Sequence, residues 1–171
     1  NAMNKPLMSD DLNRRLVALL QQEGRMSHAE LAERLGVSRP TVIERVKRLE
    51  AEGVLGGYAA RVSPAAVQKP NVAFVAVRHR QGDDDALEAA FLEALKREPD
   101  VLEAHTMAGE DCLMLKVVAE SPTALNILLK RIRSLGPQVT TRTSIVLQSH
   151  FEKPGPSPFT LGEDLPRKVK R

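Results

Sequence analysis

The chain has 171 residues, 42% of them hydrophobic, with 25 Lys+Arg against 22 Asp+Glu and a formal net charge of +3. This length and apolar content give room for one or two small folded domains and exclude a disordered chain. No apolar run approaches the roughly 18–20 residues of a membrane span, no signal-peptide pattern stands at the N-terminus, and the lone Cys112 has no intrachain disulfide partner. Those features suit a cytoplasmic protein. The histidines (His28, His79, His105 and His150) are scattered, with no pair at metal-ligand spacing, so neither a metal nor another cofactor is expected.

The first predicted element is a helix from about Asp10 to Gln22, with Leu12, Leu16, Leu19 and Leu20 as its apolar stripe. Ser27 stands three residues before Glu30, a capping box that starts a second helix at or just before Ala29. Leu31 and Leu35 are its inward contacts, and Gly36 can take the positive φ that stops it. Ser38 then caps a third helix, whose first turn tolerates Pro40. Val42, Val46 and Leu49 follow i, i+4, i+7 and form its inward stripe, leaving Arg39, Thr41, Glu44, Arg45 and Arg48 facing away. A short helix with a packed back and a basic front is the plan of a helix-turn-helix that reads the major groove of double-stranded DNA. The same pattern also occurs in helical hairpins whose charged exterior is merely solvated. Within the DNA reading, Arg39 and Thr41 lie near the helix N-terminus, where base edges are met. Arg45 and Arg48 suit phosphate or base, Glu44 shares their face, and Ser38 serves mainly as a cap.

Gly53 ends the third helix, and Val54 to Val62 predicts one or two short strands, a wing or a linker. Ser63 to Pro70 is a connector. From Asn71 the periodicity changes. Val72, Phe74, Val75 and Val77 predict a strand, and Asp83-Asp84-Asp85 opens a helix whose inward face is Leu87, Ala90, Phe91, Ala94 and Leu95. Val101 to Met107 and Cys112 to Ala119 are strands around a turn at Ala108 to Asp111. Ser121-Pro122 starts a helix buried through Leu125, Leu128, Leu129 and Ile132, Gly136-Pro137 ends it, and Val139 to Phe151 is the last strand. Strand-helix-strand-strand-helix-strand is the split βαβ, ferredoxin-like order. The whole is therefore read as α+β: an N-terminal (winged) helix-turn-helix over 8–53, a linker strand and connector over 54–70, a ferredoxin-like βαββαβ domain over 71–151, and a Pro-rich basic tail over 152–171. The apolar strands of the third segment leave a sheet face that a second copy would cover, so a homodimer is expected. The tail is expected to be mobile, with Phe159 and Leu161 as its docking candidates. The positive charge gathers on the first and last segments, a weak footprint that a dimer would double.

The stretches LLQQEGRMSHAELAERLGVSRPTVIERVKRLEAEGVLGGYAA, PDVLEAHTMAGEDCLMLKV and TTRTSIVL, in this order and over about residues 8–151, resemble the Lrp/AsnC ("feast/famine") transcriptional regulators of bacteria and archaea. The first stretch is the most specific, because EGV-x-x-GY rarely continues other helix-turn-helix segments. The resemblance implies a transcription factor that dimerises through its C-terminal sheet, often assembles into four-dimer octamers, and binds a small effector, typically an amino acid, between dimers. Carried onto this chain, the effector turn is Gly109, Glu110, Asp111 and Cys112. The family often has an aspartate where Cys112 stands. Asp111, one place earlier, would point to the opposite face of a strand and does not simply inherit its role.

Each of these residues also has a plainer reading: Gly109 as a turn glycine, Glu110 and Asp111 as solvated acids, Cys112 as a small buried hydrophobe, and His105, Thr141 and Thr143 as strand residues. The leading expectation is a sequence-specific regulator responsive to an amino acid or related metabolite. A chromosome-organising protein with little sequence preference is a second reading, motivated by the basic tail. An amino-acid-binding enzyme or subunit is a third, opposed by the lack of any nucleophile–base pair, phosphate loop or metal cluster in the sequence.

Overall fold

A computed structural model describes residues 6–78, 85–136 and 139–160. It divides into two units, Asn1–Ala60 with Phe151–Arg171 and Arg61–His150. Asp83, Asp84, Pro137 and Leu161, singled out above, lie outside the described residues.

The first unit begins with a 3-10 turn (Leu7–Ser9) and three helices, α1 (Asp11–Gln22), α2 (His28–Leu35) and α3 (Arg39–Ala51). Each helix is capped by a side chain that satisfies backbone N–H groups left orphaned at its start. Asp10 accepts from the N–H groups of Leu12 and Asn13, and Ser27 and Glu30 form the reciprocal box. Ser38 accepts from the Thr41 N–H, with Pro40 in the first turn of α3. Gly36 takes φ 68° and ends α2, as the sequence requires. The core is built from Leu16, Leu19 and Leu20 of α1, Leu31 and Leu35 of α2, and Val42, Val46 and Leu49 of α3, with Met26 filling between them. Leu12 is only half-buried.

The segment expected to form a wing or linker strand over 54–62 is irregular, apart from the turn that closes α3. A strand needs a neighbour for its backbone groups. The only sheet among the described residues is the one in the second unit, and these residues pair with none of its strands.

That sheet contains β1 (Asn71–Arg78), β2 (Val101–Thr106), β3 (Leu113–Ala119) and β4 (Thr140–Ile145). They lie in the order β2-β3-β1-β4, with β1 pairing antiparallel to both β3 and β4 and β2 antiparallel to β3. Two helices, α4 (Asp85–Lys96) and α5 (Pro122–Ser134), complete the ferredoxin-like pattern. Ala73, Val75 and Val77 of β1 and Leu113, Leu115 and Val117 of β3 share one face by strand alternation, and meet Phe91 and Leu95 of α4 and Leu125, Leu128 and Ile132 of α5. The other face presents Val72, Phe74 and Ala76 beside Met114, Lys116 and Val118. Phe74 is 42% exposed there, although it is aromatic and central.

Two further expectations need correction. Leu87 and Ala90 are exposed, so the buried spine of α4 is Phe91 and Leu95, backed by Leu92. A shared helical face does not guarantee burial where nothing closes over its first turns. The last strand ends at Ile145 rather than Phe151, because its partner runs out. Ile145 pairs with Ala73, Val146 still donates to the Val72 carbonyl at 2.8 Å, and β1 begins at Asn71.

Leu31 is fully buried, whereas Ile127 on α5 is 54% exposed. Leu31→Ala is expected to cost roughly 2–5 kcal/mol in urea unfolding, by lost transfer energy and the cavity left behind. Ile127→Ala should stay within about 0.5 kcal/mol of the parent, apart from any role in assembly.

Candidate nucleic-acid interface and effector turn

The outward side of α3 is decided by its buried back. With Val42, Val46 and Leu49 inward, Arg39, Glu44, Lys47 and Arg48 are exposed. Thr41 is half-buried, and its hydroxyl lies 2.8 Å from that of Ser38. The Ser38–Thr41 pair thus closes the start of the helix while the neighbouring Arg39 stays in solvent.

Arg45 is not part of that free front. Its Nη1 donates to Asp10 Oδ2 at 2.5 Å and to Asn13 Oδ1 at 2.9 Å, bridging α3 to the start of α1. Asn13, the buried polar residue of this core at 2% exposure, uses its amide nitrogen on the Leu7 carbonyl at 2.8 Å. Its amide is therefore satisfied on both sides, as a buried polar group must be. The hydrogen bond from Arg45 is the largest cause holding the Asp10 carboxyl below the usual carboxylate range. Partial burial opposes it, and the N–H groups of Asn13 and Leu12 and the charge of Arg45 add to it. The positions of Asp10 and Arg45, 35 residues apart, carry no sequence signal for this latch. Local spacing could only place Arg45 off the apolar stripe.

Tyr58, from the EGV-x-x-GY stretch, lies beside the turn after α1, its ring 3.6 Å from where a side chain on Gly24 would begin. Burial raises the pKa of its phenol, and the charge of Glu50 and a hydrogen bond to it add to the effect. The connector residue therefore belongs to the packing of the helical unit.

In the second unit the turn between β2 and β3 is pinned at its base. The Met107 N–H donates to the Cys112 carbonyl and the Cys112 N–H to the Val77 carbonyl, both at 2.9 Å. Gly109 sits at φ 142°, open to glycine and disfavoured for other residues. The two acids of the turn have cationic neighbours. Arg142 donates to Asp111 Oδ2 at 2.6 Å, and Arg78 reaches Glu110 Oε2 at 3.2 Å and Asp111 Oδ1 at 3.7 Å. Asp111 is bracketed by guanidinium groups and its side chain is only 20% exposed, whereas that of Glu110 is 90% exposed. Cys112 is half-buried. Arg78 and Arg142 were not among the residues read from the sequence. They reach the turn because β1 lies between β3 and β4, with Arg142 opposite Ala76. His105 is exposed beside Glu103, and Thr141 accepts from Arg133 at 3.0 Å. Among the described residues no group of three or more His, Cys, Asp or Glu side chains is gathered as a metal ion would need.

A capped helical unit presenting a cationic third helix, followed by a βαββαβ sheet domain with a charged turn, defines a DNA-binding regulator with a separate ligand-binding domain. Residues 10–50 match the model of the AsnC-type helix-turn-helix domain and residues 72–156 that of the Lrp/AsnC ligand binding domain. The chain belongs to the Lrp/AsnC family of transcriptional regulators. It is 39% identical over 149 residues to the HTH-type transcriptional regulator LrpA of Mycobacterium tuberculosis, spanning 87% of this chain and 95% of that protein. To the leucine-responsive regulatory protein of Escherichia coli it is 31% identical over 140 residues, spanning 81% and 85%. It is also similar to a solved structure, the feast or famine regulatory protein of M. tuberculosis complexed with L-methionine, with TM-score 0.78, 38% identity and coverage of 87% and 99%. These relatives are regulators, which removes the enzyme reading.

The latch has a pH signature. A carboxyl whose folded pKa lies below its unfolded value contributes stability that is present above the unfolded pKa and is lost as pH falls through the folded one. Urea midpoints followed from pH 7 downward should therefore fall below about pH 4, where unfolded aspartates protonate. Asp10→Asn, which can still cap α1, should cost up to about 1 kcal/mol at pH 7 and flatten that part of the acid loss. An unchanged acid limb would show that the Arg45 contact contributes nothing.

Proposed function

We propose that α3 enters the major groove of duplex DNA and reads a specific site with Arg39, Thr41, Glu44 and Arg48, while Arg45 holds the helix in place through α1. The observation that carries this reading is the division of α3 into a fully packed back and an exposed front that includes Arg39, Lys47 and Arg48. Base-edge contacts by arginine discriminate sequence, and phosphate contacts add affinity. Ser38 acts as the cap that presents the first turn.

The sheet unit is the assembly and sensing domain. Its open face around Phe74 fits a second copy of the chain, and homodimers are expected to build higher assemblies such as octamers. An amino acid binding between dimers at Gly109, Glu110, Asp111 and Cys112 is the effector reading; the M. tuberculosis relative complexed with L-methionine supports it. With Asp111 mostly buried and held by Arg142, Glu110, which meets Arg78 but is 90% exposed, is the better partner for an effector amine.

DNA binding followed by fluorescence anisotropy tests the first part. Arg39→Ala and Arg48→Ala should weaken binding to the cognate site by about 5- to 150-fold, equivalent to ~1–3 kcal/mol, with unchanged thermal stability. Arg45→Ala should lower thermal stability itself. Wild-type affinity in both of the first two variants would sink the assignment, and equal affinity for random and cognate duplexes would favour the chromosome-organising reading. Light-scattering mass tests the second part: Phe74→Asp should reduce the assembly to monomers. A panel of the twenty amino acids should yield at least one that shifts the wild-type mass or DNA affinity, with the response lost in Glu110→Ala.

A further inference from the structure

Ile43, Lys47 and Glu50 follow i, i+4, i+7 and share one flank of α3, between its buried back and its exposed front. That flank walls a cleft of about 310 Å³ within the helical unit. Leu20, Met26 and Val46 are buried at its base, whereas Arg25 and Lys47 are exposed at its rim. His28, the first residue of α2, lines it as well. Arg25 comes from the turn after α1, so three separate elements bring basic side chains to one place. Among the described residues no carboxylate forms an ion pair with Arg25 or Lys47. Glu50 is the opposing charge of the cleft, and it already accepts a hydrogen bond from the Tyr58 phenol on the same wall. The capping box serves the N–H groups of Ser27 and Glu30, while those of His28 and Ala29 have no intrahelical partner. The start of α2 therefore adds positive partial charge where His28 stands.

An α-helix with its side chains is roughly 10–12 Å across and the major groove about 12 Å wide. A helix that turns its front to the base edges therefore has its flanks against the sugar–phosphate strands that border the groove. Arg45 and Lys47, two positions apart, stand on opposite flanks of α3. The charge of Arg45 is engaged by Asp10, and that of Lys47 faces the cleft. We propose that this cleft seats one of the bordering strands, with Arg25 and Lys47 pairing with successive phosphates and the deoxyribose faces resting on its apolar base. The proposal rests on the major-groove reading of α3 and extends it to Arg25 and His28, residues that spacing along the chain did not single out. The occupant is duplex backbone rather than a free anion, because Lys47 belongs both to the cleft and to the exposed front of α3, so whatever fills one continues onto the other. Contacts of this kind position the protein and add affinity without reading sequence.

The test titrates the full chain by fluorescence anisotropy over a salt series, on two duplexes of about 30 bp. One has random sequence, and the other is selected from a random pool by the wild-type protein. Arg25→Gln combined with Lys47→Gln should lower the log–log salt slope by up to about 1.8, at roughly 0.9 for each phosphate released. Binding should weaken several-fold on both duplexes, with the ratio of the two affinities unchanged. Thermal stability should hold, since both side chains are exposed. Glu50→Gln keeps an acceptor for Tyr58 and removes the opposing charge, so it should tighten binding to both duplexes. Wild-type slope and affinity in the double variant would overturn the proposal, as would a Glu50→Gln protein that binds no tighter. A changed affinity ratio with an unchanged slope would assign Arg25 and Lys47 to base edges and overturn it too. Failure of the wild-type protein to bind any duplex would overturn the underlying DNA-binding reading, a result distinguishable from equal binding by wild type and variants.

Discussion

A helix of about thirteen residues holds its shape in water only when one face is buried, because nucleation is costly and isolated short helices are marginal. Burial of Val42, Val46 and Leu49 against α1 and α2 is therefore the constraint on which the first unit depends. It turns the intervening positions outward and so decides which side chains a DNA duplex could meet. The same burial brings Arg45 to the start of α1, where Asp10 and Asn13 take its donors. A charge that spacing could place only off the apolar stripe thus bridges two helices. Arginine suits this task, since a rigid planar fork reaching two acceptors fixes geometry better than a flexible ammonium.

The second unit solves a different problem. A sheet with both helices on one face has one covered side and one bare side, and strand alternation decides which residues lie on each. Ala73, Val75 and Val77 go to the helices, and Phe74 goes to the open side. The placement of β1 between β3 and β4 also brings Arg78 and Arg142 to the turn after β2. The charge of that turn is consequently shared among three strands.

Much of this architecture was legible beforehand. The capping residues Ser27 and Ser38, the helix-ending Gly36 and the change of period near Asn71 act through neighbours one to four residues away, within the range that spacing reports. The order of strands and helices, and with it the ferredoxin-like pattern, came from the same signals. Readings failed where length or burial depended on a distant partner. The last strand stops where β1 offers no more backbone groups, residues 54–62 find no strand to pair with, and Leu87 shares a face with Phe91 without sharing its cover.

The sequence by itself determined the two domain types, their order along the chain, and the side of α3 that must be buried. Those follow from local hydrogen-bond chemistry and hydrophobic period. The tertiary structure alone decided that Arg45 serves α1, that Asp111 is held by two arginines, and that the residues around Pro156 return to Gln21 across 135 positions. Such contacts depend on which surfaces close together when the core forms. No spacing along a chain encodes the partner of a guanidinium or a half-exposed ring until packing has placed both in reach.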